Sequence, residues 1–277
     1  MRDPVREGSG ILVGLIAGVG HRLDSEKIKF VLVETSNGGN IGAAARAMKT
    51  MGLSRLALVN PCEFRTYECF SRASGAADLL DNALICQTLE EAIADCSLVI
   101  GTSARLRSIS WPQISPHEFT DVFSNADANA SIAVVFGRER SGLSNGELAL
   151  CSQLVVIPSV PDFSSLNIAA AVQVLAYEVR RAVLANSESG AVQGTGSLKG
   201  KTPPGELPAT HDELEHMYKH LESTMVDTGY LDPDNPRMMM LRFRRLFNRV
   251  ALNRSEVQLM RGLFASLNKL SKRIKAG

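Results

Sequence analysis

Cysteine is scarce in this 277-residue chain, and its spacing is not that of a metal or redox motif. No two of the five cysteines have CxxC spacing, so we expect neither a zinc ribbon nor a thioredoxin-like site. An odd number of cysteines in a chain of this length also argues against a disulfide scaffold. We therefore expect reduced thiols and a cytoplasmic protein. The cysteines are Cys62, Cys69, Cys86, Cys96 and Cys151.

A hydrophobic run long enough to cross a membrane is also missing. The N-terminal candidate, residues 10–20, has 11 residues, whereas a membrane span needs about 20. Acidic residues alternate with Arg2 and Arg6 ahead of it, which differs from the basic start of a signal peptide. We expect residues 1–26 to be a poorly ordered leader, with a cleaved signal peptide as the alternative, and no membrane association.

The chain has no strong net charge, but its charges are unevenly distributed. It carries 30 basic and 29 acidic residues, a net charge of +1. Residues 237–277 alone hold eleven basic residues and one acidic residue, which leaves a net charge of −9 on the remainder. Solubility does not need such a bias, whereas neutralising phosphates does. We expect this segment to contact nucleic acid; a solvated face or a protein contact is the alternative.

Short apolar segments alternate with helical patterns over residues 27–185, which predicts an α/β fold with a mostly parallel sheet. Gly and Pro are frequent in residues 186–209, which have no hydrophobic periodicity and are expected to form a flexible linker. Residues 210–277 show helical patterns only. The predicted strands are 30–33, 56–59, 97–100, 132–136 and 154–157. The predicted helices are 41–51, 74–80, 89–94, 166–184, 212–225, 238–247 and 255–270.

Three motifs follow predicted strands. The first motif, NGGNIGAAARAM, begins at Asn37 with a cluster of Gly and Asn that permits a tight turn with positive φ. A predicted helix follows, and Arg46 is the only charged residue in its first two turns. In the second, VVFGRERSGLS, Gly137 would let a ligand approach the backbone, and Glu139 could accept from a ligand or hold an arginine. The third, IPSVPDFSSLNIA, offers Ser164 or Ser165 as a helix N-cap.

Each motif alone also fits an ordinary role: a strand–turn–helix joint, a charged surface turn, or a plain cap. Their combination is more informative, because ligands bind beyond the carboxyl ends of strands in open α/β sheets. Three such motifs in one α/β domain therefore predict a binding site at that edge of the sheet.

The ordered set NGGNIGAAARAM, VFGRERSGLS and IPSVPDFSSLNIAAA resembles the three motifs of the SpoU branch of the SPOUT RNA methyltransferases. The flanking segments GTSARLRSISWP and AVQVLAYEVRRA strengthen the likeness, which covers about residues 28–185. It implies a SPOUT domain over residues 27–185, with a parallel sheet and a C-terminal deep trefoil knot. It also implies a homodimer, and Tyr177 and Val174 on the long helix are then interface candidates. Residues 210–277 would be a small, basic helical extension that binds tRNA.

The resemblance implies S-adenosylmethionine as the cofactor, held among three loops, and methylation of a ribose 2′-hydroxyl. Within the family the likeness is to enzymes that modify position 32, C or U, in the tRNA anticodon loop. The implied cofactor-binding residues are Thr102, Ser103, Ala104, Gly137, Ile157, Ser164, Ser165 and Leu166.

The catalytic residues implied by the resemblance come from all three motifs. A guanidinium stays protonated in proteins, so we expect Arg46 to grip a phosphate and stabilise the developing alkoxide rather than to remove a proton. Asn40 would orient Arg46 or the ribose, and Glu139 would hold the arginine or a group of the partner chain. Ser165 and Asn167 would complete the pocket. Which group takes the proton stays open.

Family and charge together assign the tRNA backbone to four arginines of the C-terminal segment. An rRNA methyltransferase and a catalytically silent RNA-binding protein remain alternatives. A metal enzyme is not expected, since His216 and His220 stand four residues apart with no well-placed third ligand beyond His211. The four arginines are Arg242, Arg244, Arg245 and Arg249.

Overall fold

A seven-stranded sheet forms the centre of the N-terminal part of the chain. The structure is a computed structural model that describes residues 24–103, 111–124, 126, 129–160, 162, 165–188, 207–234, 236 and 238–276. Strand order is β3-β2-β1-β6-β4-β7-β5, and each neighbouring pair is parallel. The strands are β1 (Ile28–Val33), β2 (Arg55–Val59), β3 (Leu84–Cys86), β4 (Leu98–Thr102), β5 (Gln113–Ile114), β6 (Ile132–Phe136) and β7 (Gln153–Val155).

The predicted α/β fold and parallel sheet are confirmed. β1 is a central strand of the sheet, and all six of its residues are buried. Burial on both faces is typical of strands in parallel sheets. Phe30 and Leu32 pack into the core on one face, and Val31 and Val33 into the core on the other. Lys29 is the charged exception, and its ammonium group donates to the Ala92 carbonyl at 3.0 Å and pairs with Asp95.

Ten α-helices lie among the described residues. Helix α1 starts three residues earlier than predicted, because the Asn37 side chain caps it by accepting from the Asn40 amide at 3.2 Å. The helices are α1 (Gly38–Thr50), α2 (Tyr67–Ala73), α3 (Ala77–Asp81), α4 (Leu89–Ile93), α5 (Pro116–Ser124), α6 (Asn145–Ala149), α7 (Ile168–Glu188), α8 (His211–Asp227), α9 (Met239–Asn248) and α10 (Arg254–Ala276).

The turn expected at the first motif's glycines forms elsewhere. Gly38 and Gly39 lie in the first turn of α1, and the residue with positive φ is Glu34, at +45°. The glycines serve close packing instead. A Cβ on Gly42 would lie 2.0 Å from the Cys69 carbonyl oxygen, so α1 and α2 touch through their backbones.

The C-terminal helices α8, α9 and α10 enclose a hydrophobic core of their own, centred on Met217, Tyr218 and Phe264. This core packs against the sheet domain, since the His211 amide donates to the Cys96 carbonyl at 2.7 Å. The predicted linker is shorter than expected at both ends: residues 186–188 continue α7, and Pro208 forms a β-bridge with Asn253. Residues 189–206, and residues 1–23 of the predicted leader, lie outside the described part of the chain.

Candidate active site

A cleft opens at the carboxyl ends of β4, β6 and β7. Because these strands are parallel neighbours, with β1 beside β6, the loops that follow them meet at one edge of the sheet. The cleft has an empty volume of about 830 Å³, counting the space at its open mouth. It lies beyond the carboxyl ends of the strands, where ligands bind in open α/β sheets.

Most of the residues predicted to bind the cofactor line this cleft together. Thr102 and Ser103 come from the end of β4, Gly137 follows β6, and Ile157, Ser165 and Leu166 follow β7. Ala104 and Ser164 lie outside the described residues. The parallel strand order thus brings together residues that are more than thirty positions apart in the sequence.

The cleft has an apolar floor and a polar rim. Buried side chains of the strands, of the loop after β6, and of α6 and α7 form the floor. The rim carries hydroxyl groups, exposed backbone, Glu139, Arg138 and Arg140. An amphipathic ligand with a flat apolar part and a charged part fits such a lining. The floor residues are Phe136, Leu143, Leu148, Val155 and Ile168.

Gly137 is required where the loop after β6 folds back on itself. A Cβ on Gly137 would lie 2.3 Å from the Gly142 carbonyl carbon and from the Leu143 nitrogen. The loop closes through a hydrogen bond of 2.9 Å from the Gly142 amide to the Arg138 carbonyl, with Gly142 at φ +67°. A side chain on Gly137 would therefore push the loop open and change the wall of the cleft.

A hydrogen-bonded chain joins the three motifs. The side-chain nitrogen Nδ2 of Asn40 donates to Glu139 Oε1 at 3.2 Å, and Nδ2 of Asn167 donates to Asn40 Oδ1 at 3.0 Å. Glu139 also accepts from the Ser36 amide and from the Ser36 hydroxyl, both at 3.2 Å to Oε2. Both ends of the Asn40 side chain are thus held, which fixes the orientation of its amide.

Glu139 is ionised within this network. Burial raises the pKa of its carboxyl group, but hydrogen bonds from backbone amides, from Asn40 and from the Ser36 hydroxyl outweigh burial and hold it below its ordinary value of 4.5. A carboxylate that is so well solvated by donors is a weak base. Its geometry is that of an anchor for Asn40.

Arg46 is not part of this hydrogen-bonded network. Its side chain is exposed, and within the described residues it makes no hydrogen bond or ion pair and does not line the cleft. Asn40 and Arg46 are six positions apart on α1, so they point about 120° apart around the helix axis. Arg46 lies on the side of α1 that contains Gly42 and is turned toward α2, whereas Asn40 faces Glu139 on the loop after β6.

The helix cap predicted at Ser164 or Ser165 belongs to another residue. α7 begins at Ile168, and Asn167 Oδ1 accepts from the Ala169 amide at 2.9 Å. Asn167 therefore both starts α7 and donates to Asn40. Ser165 is exposed on the cleft rim.

Sequence reasoning missed a charged cluster beneath the second motif. Arg138, which lines the cleft, forms ion pairs with Glu34 at the end of β1 and with Glu147 on α6. Glu147 is also part of a capping box with Ser144, the N-cap of α6. The S-x-x-E spacing of that box was readable in the sequence, but the partner of Arg138 more than a hundred residues away was not.

The four C-terminal arginines differ in their surroundings. Arg244 is largely buried: it forms a two-pronged ion pair with Glu215 and its guanidinium carbon lies 4.6 Å above the Tyr218 ring centre. Arg242 and Arg249 are exposed, and Arg245 is partly exposed. No ion pair of these three occurs within the described residues.

All five cysteines carry free thiols, and burial raises the pKa of Cys96 to about 11 and of Cys151 to about 12. In the described part of the chain, no three His, Cys, Asp or Glu side chains form a group that could hold a metal ion. None of the helices described above is long and apolar enough to cross a membrane.

Comparison with known families confirms the resemblance. Residues 27–177 match the SpoU rRNA Methylase family, and residues 212–276 match the family described as the C-terminal domain of the tRNA methyltransferase TrmJ. The two matches correspond to the sheet domain and to the three-helix core of α8, α9 and α10.

Individual relatives are similar in sequence to this chain over nearly their whole length. The chain is 48% identical to the tRNA (cytidine/uridine/adenosine-2′-O-)-methyltransferase TrmJ of Pseudomonas aeruginosa, over 89% of this chain and 96% of that protein. It is 45% identical to the tRNA (cytidine/uridine-2′-O-)-methyltransferase TrmJ of Escherichia coli K12, over 91% and 99%. The crystal structure of TrmJ from Z. mobilis ZM4 aligns with a TM-score of 0.71 and 32% identity, over 86% of this chain and 98% of that one.

Proposed function

Because the chain belongs to the SpoU rRNA Methylase family, we propose that it is a tRNA methyltransferase that methylates a ribose 2′-hydroxyl and uses S-adenosylmethionine. The observation that carries this proposal is the 48% identity, over 89% of the chain, to a protein named as a tRNA 2′-O-methyltransferase. The C-terminal match to a tRNA methyltransferase domain supports tRNA, rather than rRNA, as the substrate.

The cleft fits S-adenosylmethionine chemically. Its apolar floor suits a purine, and its rim offers hydroxyl groups and an ionised carboxylate for polar and cationic groups. Thr102, Ser103, Gly137, Ile157 and Leu166 would hold the cofactor, with Ser165 at the rim. When bound, the cofactor supplies a methyl group that its sulfonium charge has already activated.

The chain's own residues then have to position a ribose hydroxyl and stabilise the charge that develops on it. Asn40, held by Glu139 and Asn167, presents a fixed amide beside the cleft. Arg46 would bind the adjacent phosphate and stabilise the developing alkoxide as a permanent cation. Because its pKa is lowered, Glu139 would serve as the anchor for Asn40 and not as the base for the hydroxyl proton.

Arg46 would act in trans, in a homodimer. Its orientation on α1, about 120° from Asn40, supports an arrangement in which it completes the partner's site rather than its own. Tyr177 on α7 is half exposed and Val174 is partly exposed, which suits residues of an interface between copies. Each active site would thus combine one chain's cleft with the other chain's arginine.

Mixing two inactive variants tests this arrangement. Arg46→Ala removes the arginine, and Gly137→Ala distorts the loop that forms a wall of the cleft. If the arginine acts in trans, random exchange of subunits restores about a quarter of the wild-type sites, because half the dimers are mixed and each has one intact site. If the mixture stays inactive after subunit exchange has been verified, the arginine acts in cis.

For the substrate, we propose position 32 of the anticodon loop, with Arg242, Arg245 and Arg249 contacting the tRNA backbone. Their exposure and lack of ion pairs within the described residues support this assignment, whereas Arg244 is committed to Glu215. Contacts of this kind read shape and phosphates more than base edges. The C-terminal trefoil knot of the fold and a cytoplasmic location complete the proposal.

Nucleoside mass spectrometry of unmodified tRNA, incubated with the protein and S-adenosylmethionine, tests the reaction. We expect 2′-O-methylated cytidine or uridine in the anticodon loop, and a loss of about 100-fold or more with Arg46→Ala, typical of removing a donor to a developing oxyanion. Methylation of rRNA but not tRNA would support the rRNA alternative. Tight tRNA binding without transfer would support a silent RNA-binding protein.

A further inference from the structure

Arg138 forms ion pairs with two carboxylates, although the proposed chemistry gives it no role. It stands between Gly137, which lines the cleft, and Glu139, which anchors Asn40. Its side chain points away from both, into a cluster formed by Glu34 and Glu147. That cluster joins three segments of the chain: the end of β1, the loop after β6, and α6.

Each nitrogen of the guanidinium group has a carboxylate partner. Nε donates to Glu34 Oε2 at 2.8 Å, Nη1 donates to Glu147 Oε2 at 2.9 Å, and Nη2 bridges the two, donating to Glu147 Oε1 at 3.1 Å and to Glu34. The Arg138 side chain is 26% exposed and that of Glu147 is 15% exposed. Only a planar, forked cation can pair with two carboxylates in this way, so lysine is not an equivalent.

The backbone at Glu34 is arranged for this contact. Glu34 has φ +45°, a left-handed conformation that is unfavourable for a residue with a side chain, and its amide donates to the Val59 carbonyl at 2.8 Å. The turn aims the Glu34 carboxylate at Arg138 and, two residues later, the Ser36 amide at Glu139. Residues 34–36 and 138–139 are therefore joined by two adjacent charge-assisted contacts.

These two contacts link the two halves of the site. The loop 137–143 forms a wall of the cleft, and Glu139 on the same loop orients Asn40. A shift of this loop would change both the shape of the cleft and the position of Asn40. The Arg138 pairs with Glu34 and Glu147 oppose such a shift, because they fix the start of the loop to β1 and its far end, through Ser144 and Glu147, to α6.

We propose that Arg138 is a positioning residue for methyl transfer: by clamping the loop 137–143 between β1 and α6, it preorganises the cofactor cleft and the Asn40 amide together. This inference rests on the proposed function and adds to it a residue that does not itself touch the reacting atoms. It requires that S-adenosylmethionine affinity depend on Glu34, a residue that does not line the cleft.

The test measures S-adenosylmethionine binding by calorimetry and methyl transfer to tRNA for Arg138→Gln, Arg138→Lys and Glu34→Gln in the full-length protein. We expect the Kd for S-adenosylmethionine to rise about tenfold or more in Arg138→Gln, with a further fall in kcat because Asn40 loses its orientation. Arg138→Lys should recover only part of the loss. Arg65→Gln, which removes an exposed cation whose nearest carboxylate is 3.6 Å away, is the matched control.

A double-mutant cycle separates positioning from mere stability. If Glu34 acts through Arg138, the double variant Arg138→Gln, Glu34→Gln binds S-adenosylmethionine no more weakly than Arg138→Gln alone. Circular dichroism at the assay temperature checks that each variant is folded; should Arg138→Gln fail to fold, Arg138→Lys and Glu34→Gln carry the same comparison.

Two results would overturn the inference while wild-type protein still methylates tRNA: a Kd within twofold of wild type in the folded variants, or additive effects in the cycle. A wild-type protein that binds S-adenosylmethionine but transfers no methyl group to tRNA would instead count against the proposed function. The binding measurements would then still decide whether Arg138 shapes the cleft.

Discussion

Gly42 on α1 shows how a single residue sets the distance between two elements. A Cβ there would lie 2.0 Å from the Cys69 carbonyl oxygen and 3.1 Å from the Ala73 nitrogen. Both are backbone atoms of α2, so no side-chain rearrangement can make room. The position of α1 matters for the site, since it carries both Asn40 and Arg46.

We expect Gly42→Ala to destabilise the protein by about 1–3 kcal/mol or more, the usual cost of overpacking, because α1 and α2 must separate. Urea denaturation measures the change. Gly262→Ala is the control: it lies within α10 with open space around it, so it should raise stability by up to about 1 kcal/mol. Equal effects of the two substitutions would contradict the close approach.

The depressed carboxyl pKa values near the cleft predict acid sensitivity. The pKa of Glu139 lies below 4.5 in the folded protein, so its stabilising contribution is fully present above its unfolded pKa and is lost as the pH falls through the folded pKa. Glu139→Gln should therefore narrow the stability difference between neutral pH and about pH 4. Urea midpoints at the two pH values measure this, and an unchanged difference would show that Glu139 is not held as an anion.

Among the secondary-structure elements, the buried central strands were predicted well and the short peripheral ones were not. β6 agrees with its prediction at both ends, because a short apolar run rich in β-branched residues, bounded by Ser131 and Gly137, favours a buried strand. β5 has two residues and β3 exposes Leu84 and Ile85, so neither shows a buried apolar pattern. Such strands exist because neighbouring strands pair with them, which is information outside the local sequence.

The candidate site divides in the same way. Residues within motifs, such as Gly137 and Glu139, could be predicted because each motif directly follows a predicted strand. The Arg138 contacts with Glu34 and Glu147 could not, since they depend on the order of strands in the sheet. Likewise, family likeness and charge grouped Arg244 with the arginines proposed to contact tRNA, and only tertiary packing places it beside Glu215 and Tyr218.

Two arginines of α9 and its C-terminus should therefore respond differently to substitution. Arg244→Ala leaves the largely buried Glu215 carboxylate without its partner, so we expect a loss of roughly 2 kcal/mol or more in unfolding free energy. Arg249→Ala should change stability by less than about 0.5 kcal/mol but weaken tRNA binding and reduce its salt slope by about 1. The reverse pattern, in denaturation and filter-binding assays, would contradict these assignments.

Across the whole molecule, charge is separated along the chain while the two cores stay in contact. The net charge of +10 falls on residues 237–277. The three-helix core that contains most of these residues is joined to the sheet domain through α8, whose His211 amide donates to the Cys96 carbonyl. This arrangement holds a basic surface at a defined position relative to the cleft. It suits a large anionic substrate that must be gripped in one place and modified in another.

The separation predicts that salt acts far more on tRNA binding than on cofactor binding. If Arg242, Arg245 and Arg249 each neutralise one phosphate, the affinity for tRNA should fall roughly 20- to 40-fold between about 50 and 200 mM salt. The Kd for S-adenosylmethionine should change far less, because the cleft has an apolar floor and carries charges of both signs, Glu139 beside Arg138 and Arg140. A flat salt dependence for tRNA would remove the arginines from the interface.

The most direct test of the central claim, ribose methylation of tRNA, uses two tRNAs that differ by one oxygen atom. One is unmodified, and the other carries a 2′-deoxyribose at position 32. With labelled S-adenosylmethionine, the account predicts about one methyl group per molecule on the first tRNA and none on the second, with equal binding of both. Equal labelling of the two tRNAs would contradict methylation at that hydroxyl, and no labelling of either would contradict the proposed reaction.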